Sequence, residues 1–251
     1  MKLVACALVI ACTADATPAR SPVRSPIPDG AAELVTAIVD DWSSTTATLQ
    51  LWHRDRGSGW QPVGEPWPAV IGAKGAAWGD GLHGHGAPSG QHGPIKHEGD
   101  QASPAGAFAF RAAYGYAAQA PQGTHLPYTP SDGLECVDDP SSSHYAQITR
   151  PARDGGDWKS AEHMKRGDAL YTWVIDIAHN PDHIRGDGSC IFLHVWNGPG
   201  STTVGCTAMD EAKLASLVAT LEPTAVYVLL PRAVYHSLAS AWNLPGDRLP
   251  P

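Results

Sequence analysis

The chain has 251 residues, 43 % of them apolar and 17 % charged, with a formal net charge of −8 and an isoelectric point near 5.8. That length suits one large domain or two small ones, and the excess of 25 Asp and Glu over 17 Lys and Arg leaves no basic stripe to neutralise phosphates, so no nucleic-acid partner is expected. No apolar run reaches the roughly 18–20 residues that a spanning helix needs, which excludes a membrane-crossing helix.

The N-terminus has the features of an address. Lys2 precedes an apolar run over residues 3–11, and Cys12 follows. A positive residue, a short apolar core and a small residue before the cut describe a secretory signal over residues 1–11. Val9-Ile10-Ala11-Cys12 also resembles the bacterial lipobox, which implies acylation of Cys12 and membrane association through lipid alone. The alternatives are an ordinary signal cleaved after Ala11, Ala14 or Ala16, or a mis-assigned start. Residues 12–30 carry Ser-Pro twice and are expected to form an extended tether. The folded body is expected over residues 31–251. It holds three cysteines, Cys136, Cys190 and Cys206, an odd number that leaves one free; counting does not say which.

The 26 glycines and 22 prolines point to many turns and a β-rich body. Residues 34–39 and 47–52 have strand composition, separated by a polar turn. Residues 60–63 and 69–72 continue the β pattern as two short pieces. A Gly- and His-rich loop is expected over 79–104, a strand over 108–116 and irregular chain over 121–156. Residues 171–177 and 190–196 are the strongest strands, apolar on both faces and so expected at the centre of a sheet. Residues 210–221 form the clearest helix: Leu214, Leu217, Val218 and Leu221 share a face, with Asp210 and Glu211 at its start. A strand over 225–230 and a helix over 233–242 close a single α+β, β-rich domain.

The residues with reactive chemistry lie between 190 and 209. Strand alternation puts His194 on the face of Phe192 and Trp196, so Trp196 is expected over the thiol. A glycine-rich loop leads to Val204-Gly205-Cys206. A cysteine on a tight turn before a helix has N–H groups that favour the thiolate and stabilise an oxyanion. Gly205 lets the backbone approach a substrate without a Cβ. A strand histidine can take the thiol proton, as in cysteine–histidine acyl transfer. The plainer alternative is a buried structural cysteine and a histidine satisfied by a backbone carbonyl.

Ile191-Phe192-Leu193-His194-Val195 followed by Thr203-Val204-Gly205-Cys206 resembles the L,D-transpeptidase catalytic domain of exported bacterial peptidoglycan-modifying enzymes. Glu98-Gly99-Asp100 with Ser103-Pro104-Ala105-Gly106 is similar to a loop of that family. Val137-Asp138-Asp139-Pro140 with Tyr145, and Ser160-Ala161-Glu162-His163-Met164 with the strand from Tyr171, resemble motifs of an exported subgroup. The resemblance implies a mixed β-sandwich with a few helices, no cofactor, and stem tetrapeptides of peptidoglycan as partner, in a monomer at the cell envelope or periplasm. Cys206 would attack the carbonyl of the third stem residue and release the terminal D-alanine. His194 would serve as base and then acid, and the N–H groups of Gly205 and Cys206 would form the oxyanion hole. The thioester would pass to an amine; water as acceptor would make the protein an L,D-carboxypeptidase or a related wall hydrolase.

Val204 departs from the better-known branch, which has histidine there, and this bears on the mouth of the site. Cys136 and Cys190, both expected near the site, could pair in an oxidising compartment and leave Cys206 free. A wall-binding module without turnover needs neither Cys206 nor His194. A metal-dependent hydrolase would use His83, His85, His92 and His97, whose glycine-rich spacing orders ligands poorly. His179-Asn180 and His144-Tyr145 are candidates for the substrate groove or, alternatively, surface loop.

Overall fold

A computed structural model describes residues 24–246. The expected leader and Cys12 lie outside the described residues. Residues 12–23 of the expected tether also lie outside the described residues, and the part that is described is docked from Ser25 on. Ser25 Oγ donates to Trp242 O at 2.8 Å, and Ile27 is buried in the main core.

The chain forms strands β1 (Glu33–Val39), β2 (Thr46–His53), β3 (Gln61–Val70), β4 (Ala76–Trp78), β5 (Ser103–Gly115), β6 (Tyr128–Pro130), β7 (Glu135–Val137), β8 (Ile148–Thr149) and β9 (Ala161–His163). Strands β10 (Trp173–Ile177), β11 (Phe192–Val195) and β12 (Thr207–Met209) precede helix α1 (Glu211–Thr220), strand β13 (Val226–Pro231) and helix α2 (Arg232–Leu238). The body is therefore mostly β with two helices, and the β-rich expectation holds.

The main sheet runs β10-β11-β12-β3-β2-β1-β13-β5, and β5 pairs back onto β10. The pairings thus form a continuous, barrel-like ring rather than two unconnected sheets. Closure pairs β5 with β10, which would otherwise be left as an exposed edge. Central strands are apolar throughout because both faces are covered: β13 is buried along its whole length, between β1 and β5. Asp210 caps α1 by accepting from Ala212 N and Lys213 N, and Leu214, Leu217 and Val218 are buried. The helix lies against β10 and β11. α2 ends at Leu238, four residues earlier than expected, and the chain turns through a Trp242 N to Leu238 O bond.

A second, three-stranded sheet, β8-β7-β9, stands outside the ring; β7 and β8 fall in the stretch expected to be irregular, and β9 follows it. Its side chains and those of β10 and β11 enclose a separate cluster that includes Cys136, Met164, Tyr171, Phe192, Cys190 and Cys206. The reactive thiol therefore lies at the junction of the ring and the small sheet.

Candidate active site

β11 sits between β10, antiparallel to it, and β12, parallel to it. In the β11–β12 register His194 lies opposite Ala208. Side chains alternate along a strand, so Cys206, two residues before Ala208, shares the His194 and Phe192 face. Cys206 stands beside Phe192, one step diagonally from His194, a spacing of about 7–8 Å that long side chains can bridge. The sequence put His194 on the Phe192 face by the same period of two and left open whether the thiol meets it.

Cys206 is 3 % exposed, and it is the free cysteine among the described residues. Its S–H donates to Cys190 O at 3.4 Å, and Sγ accepts from Phe192 N at 3.4 Å. Cys136 and Cys190 form the disulfide expected as a possibility, with Cα atoms 5.9 Å apart. Cys190 has a left-handed backbone (φ 55), which turns its carbonyl toward the thiol as the chain enters β11. Burial pushes the Cys206 thiol well up from the ordinary range, and the charge of Glu162 adds to this.

This overturns one expectation. The helix begins a few residues after the cysteine, as expected, but β12 intervenes before α1 starts at Glu211, so the thiol is not at the helix entry. Three strand residues separate thiol and helix by about 10 Å, beyond the first turn over which a helix dipole acts. No thiolate-favouring helix terminus reaches Cys206.

His194 is 8 % exposed. Its Nδ1 donates to Val195 O at 2.7 Å; a carbonyl only accepts, so this bond puts the proton on Nδ1, and the Leu170 carbonyl also bears on the ring. Burial lowers its pKa to about 4, so the ring is neutral at pH 7. The carbonyl bond expected of a merely structural histidine is present, and it also favours the tautomer that a general base needs. The thiol and the imidazole are not hydrogen-bonded to each other; each is held by backbone partners. The ring packed on His194 is Tyr171, with centroids 5.2 Å apart, and Trp196, expected over the thiol, is not part of the cluster that holds Cys206.

Gly205 has φ 151, and a Cβ there would sit 3.2 Å from Ile191 Cδ1 and 3.3 Å from Ala102 O. Its N–H donates to Thr203 Oγ1 at 3.2 Å, so this expected oxyanion donor has a protein partner here. The Cys206 carbonyl is clamped by Thr203 Oγ1 (2.6 Å) and by Ser103 Oγ (2.9 Å), and Ser103 Oγ accepts from Gly72 N. Thr203 is itself pinned to the end of β3 through Thr203 N to Ile71 O and Ala73 N to Thr203 O. The loop before the thiol is thus strapped at both its backbone and its side chain.

A cleft of about 300 Å³ opens beside the thiol, lined by Cys206, Gly205, Val204, Glu98, Asp138 and Glu162 among others. Val204 is 69 % exposed at its lip, the position expected to shape the mouth. Tyr171 OH donates to Glu162 Oε2. Glu98 accepts from Tyr145 OH at 2.5 Å and Ser189 Oγ at 2.6 Å. Glu162, Tyr171 and Ser103 were quoted in the sequence only as parts of motifs, and their gathering around Cys206 crosses long sequence separations that no local pattern encodes. Adjacent Asp138 and Asp139 do not form a facing pair: they accept from Ser160 and from Ser141 respectively.

The remaining candidates have other work. His179 is buried, accepting from Asp80 N and donating to Asp187 O. Asn180 is fully buried and bonds Ile184 and Gly188, which shapes the loop before Cys190. Neither residue is in the groove or on the surface. Tyr145 stands behind Glu98, while His144 pairs with Asp157 at the surface. His83 bonds Gly79 O and Ala107 N among aromatic rings, and His85 pairs with Asp80. Among the described residues no group of three His, Cys, Asp or Glu is arranged to hold a metal ion. Comparisons with protein-family models, curated proteins and solved structures find no match.

Proposed function

We propose that the protein is an exported, cysteine-dependent L,D-transpeptidase of peptidoglycan, with an L,D-transpeptidase-like fold and Cys206 as its nucleophile. The observation that carries this reading is a free thiol lining a cleft, on one strand face with a neutral histidine whose Nδ1 donates to a backbone carbonyl. The other two body cysteines are consumed in a disulfide, a bond that persists in oxidising compartments and so accords with export.

Both reactive groups rest uncharged. On substrate binding His194 Nε2 takes the Cys206 proton as sulfur attacks the carbonyl of the third stem residue. The developing oxyanion is met by the Cys206 N–H, joined by Gly205 N–H once it leaves Thr203. The imidazolium then protonates the leaving nitrogen, D-alanine departs, and the acyl group remains on sulfur. An amine from a second stem attacks the thioester, forming the cross-link and restoring the thiol.

Incubating the chain from residue 24 with tetrapeptide muropeptides, beside Cys206→Ala, tests the reading by mass spectrometry. The expected result is D-alanine release with dimeric muropeptide, lost by on the order of 10⁴-fold or more in the variant. Tripeptide without dimer would make the protein a carboxypeptidase, and no conversion at all would sink the enzyme reading.

A further inference from the structure

Three carboxylates line the cleft, and their surroundings differ. Glu98 is held by Tyr145, Ser189 and Gly99 N, the last on Oε1. Asp138 takes the Ser160 hydroxyl. Glu162 has Tyr171 OH on Oε2 and leaves Oε1 without a hydrogen-bond partner among the described residues.

Glu162 is fixed relative to the thiol from two sides. It pairs with Cys136 across β7 and β9, Cys136 is bonded to Cys190, and Cys190 O receives the Cys206 S–H. Tyr171, which holds Glu162, also lays its ring on His194. One tyrosine therefore touches the histidine and the carboxylate that flank the thiol. Tyr171, Asp138, Arg166 and Glu98 bear on Glu162, and Lys96 and Cys206 line the same cleft. Arg166 is paired with Asp168, and Lys96 with Asp100. Cys206 is neutral at rest. The cationic neighbours are thus already paired, and burial with the nearby carboxylates raises the Glu162 pKa.

Resting on the transpeptidase reading, we infer that Glu162 is a further catalytic residue, the base that receives the acceptor's ammonium group and takes one proton from it at the Cys206 thioester. The His194 side of the thiol handles the donor stem; the Glu162 side prepares the acceptor. The carboxylate takes one ammonium proton, and the neutral amine forms a C–N bond at the thioester carbonyl. A second proton passes from that nitrogen to His194 Nε2. The C–S bond then breaks, and the departing thiolate takes this proton from the imidazolium. Glu162 returns its proton to solvent through the cleft. Tyr171 is the positioning residue, holding the carboxylate and the imidazole together.

The test compares two acceptors on the same thioester: a diamino-acid stem, protonated at neutral pH, and hydroxylamine, which is already neutral there. In Glu162→Gln the ratio of stem aminolysis to hydroxylamine turnover should fall by about 10²-fold, the scale of a lost general base. Stem aminolysis by the variant should also climb with pH as free amine accumulates. Tyr171→Phe keeps the ring on His194 and should lower the same ratio less, about tenfold, which provides a readout should the glutamine variant not fold. An unchanged ratio in both variants, or no added pH dependence, overturns the role of Glu162. Absence of any Cys206 thioester in the unmodified protein instead overturns the transpeptidase reading on which the inference stands.

Discussion

Burial acts on the two reactive side chains in opposite directions: it raises the Cys206 thiol and lowers His194 to about 4. The resting site is a neutral pair, unlike a thiolate–imidazolium couple. Two outcomes follow from this. Alkylation of Cys206 by iodoacetamide should be slow at neutral pH and still rising above the ordinary thiol range near 8.5, with no plateau below pH 7. The acid limb of kcat/KM should fall near 4 rather than near the ordinary 6.5, because His194 serves as a base once it is deprotonated. A stopped pH series on the native protein checks both. Gly205→Ala forces a Cβ onto a backbone at φ 151 with contacts at 3.2 and 3.3 Å. It should cost roughly 1–3 kcal/mol of stability and at least tenfold in activity, read by urea unfolding and D-alanine release. In the sequence a local motif picks out Gly205 and Cys206 and strand alternation sets the face of His194, so these residues were legible as candidates. The neutral resting state was not, since it depends on how many atoms the fold packs around each group.

At the scale of elements, the small sheet is held to the ring by the Cys136–Cys190 bond, which spans 54 residues of chain. Replacing both cysteines with serine should lower stability by about 2–4 kcal/mol, measured by thermal melting, with the same loss on reducing the native protein. An unchanged melt would mean that the small sheet is held by its apolar cluster alone. The long strands were readable, and their errors have physical causes. β3 carries Pro62, Gly64, Pro66 and Pro68, which broke the pattern into two pieces. Its other neighbour, β12, covers only Ala69 and Val70, so residues 61–68 form an edge where a missing N–H forfeits no ladder bond. β6 to β9 are two or three residues each and pair only through tertiary contacts, leaving no periodicity to read. Cys206 was expected just ahead of a helix because β12 is too short to show itself.

Across the whole molecule, ring closure brings β5 beside both β13 and β10 and sets β11, the strand that carries His194, between β10 and β12. The sequence supplied the strands but could not show that the sheet closes, since the β5–β10 pairing joins segments about sixty residues apart. His194 and His179 both have pKa values lowered to about 4 by burial. The unfolded chain binds their protons near 6.5 and the folded one does not, so their contribution is present above about 6.5 and is lost as pH falls toward 4. Urea midpoints should decline over that interval, and a flat profile would contradict the neutral, buried assignment. Ile27 extends the core to a segment that sequence alone assigned to a tether. Ile27→Ala should cost about 2–4 kcal/mol, read by urea unfolding.

The most direct measurement is the intact mass of the protein after brief exposure to a tetrapeptide stem, taken together with peptide mapping. The account predicts a covalent adduct of the stem tripeptide on Cys206, released by hydroxylamine, and absent in Cys206→Ala. It also predicts slow adduct formation in His194→Gln. No adduct on Cys206, under conditions where D-alanine is released, would contradict the thioester and with it the role of the Cys206–His194 pair.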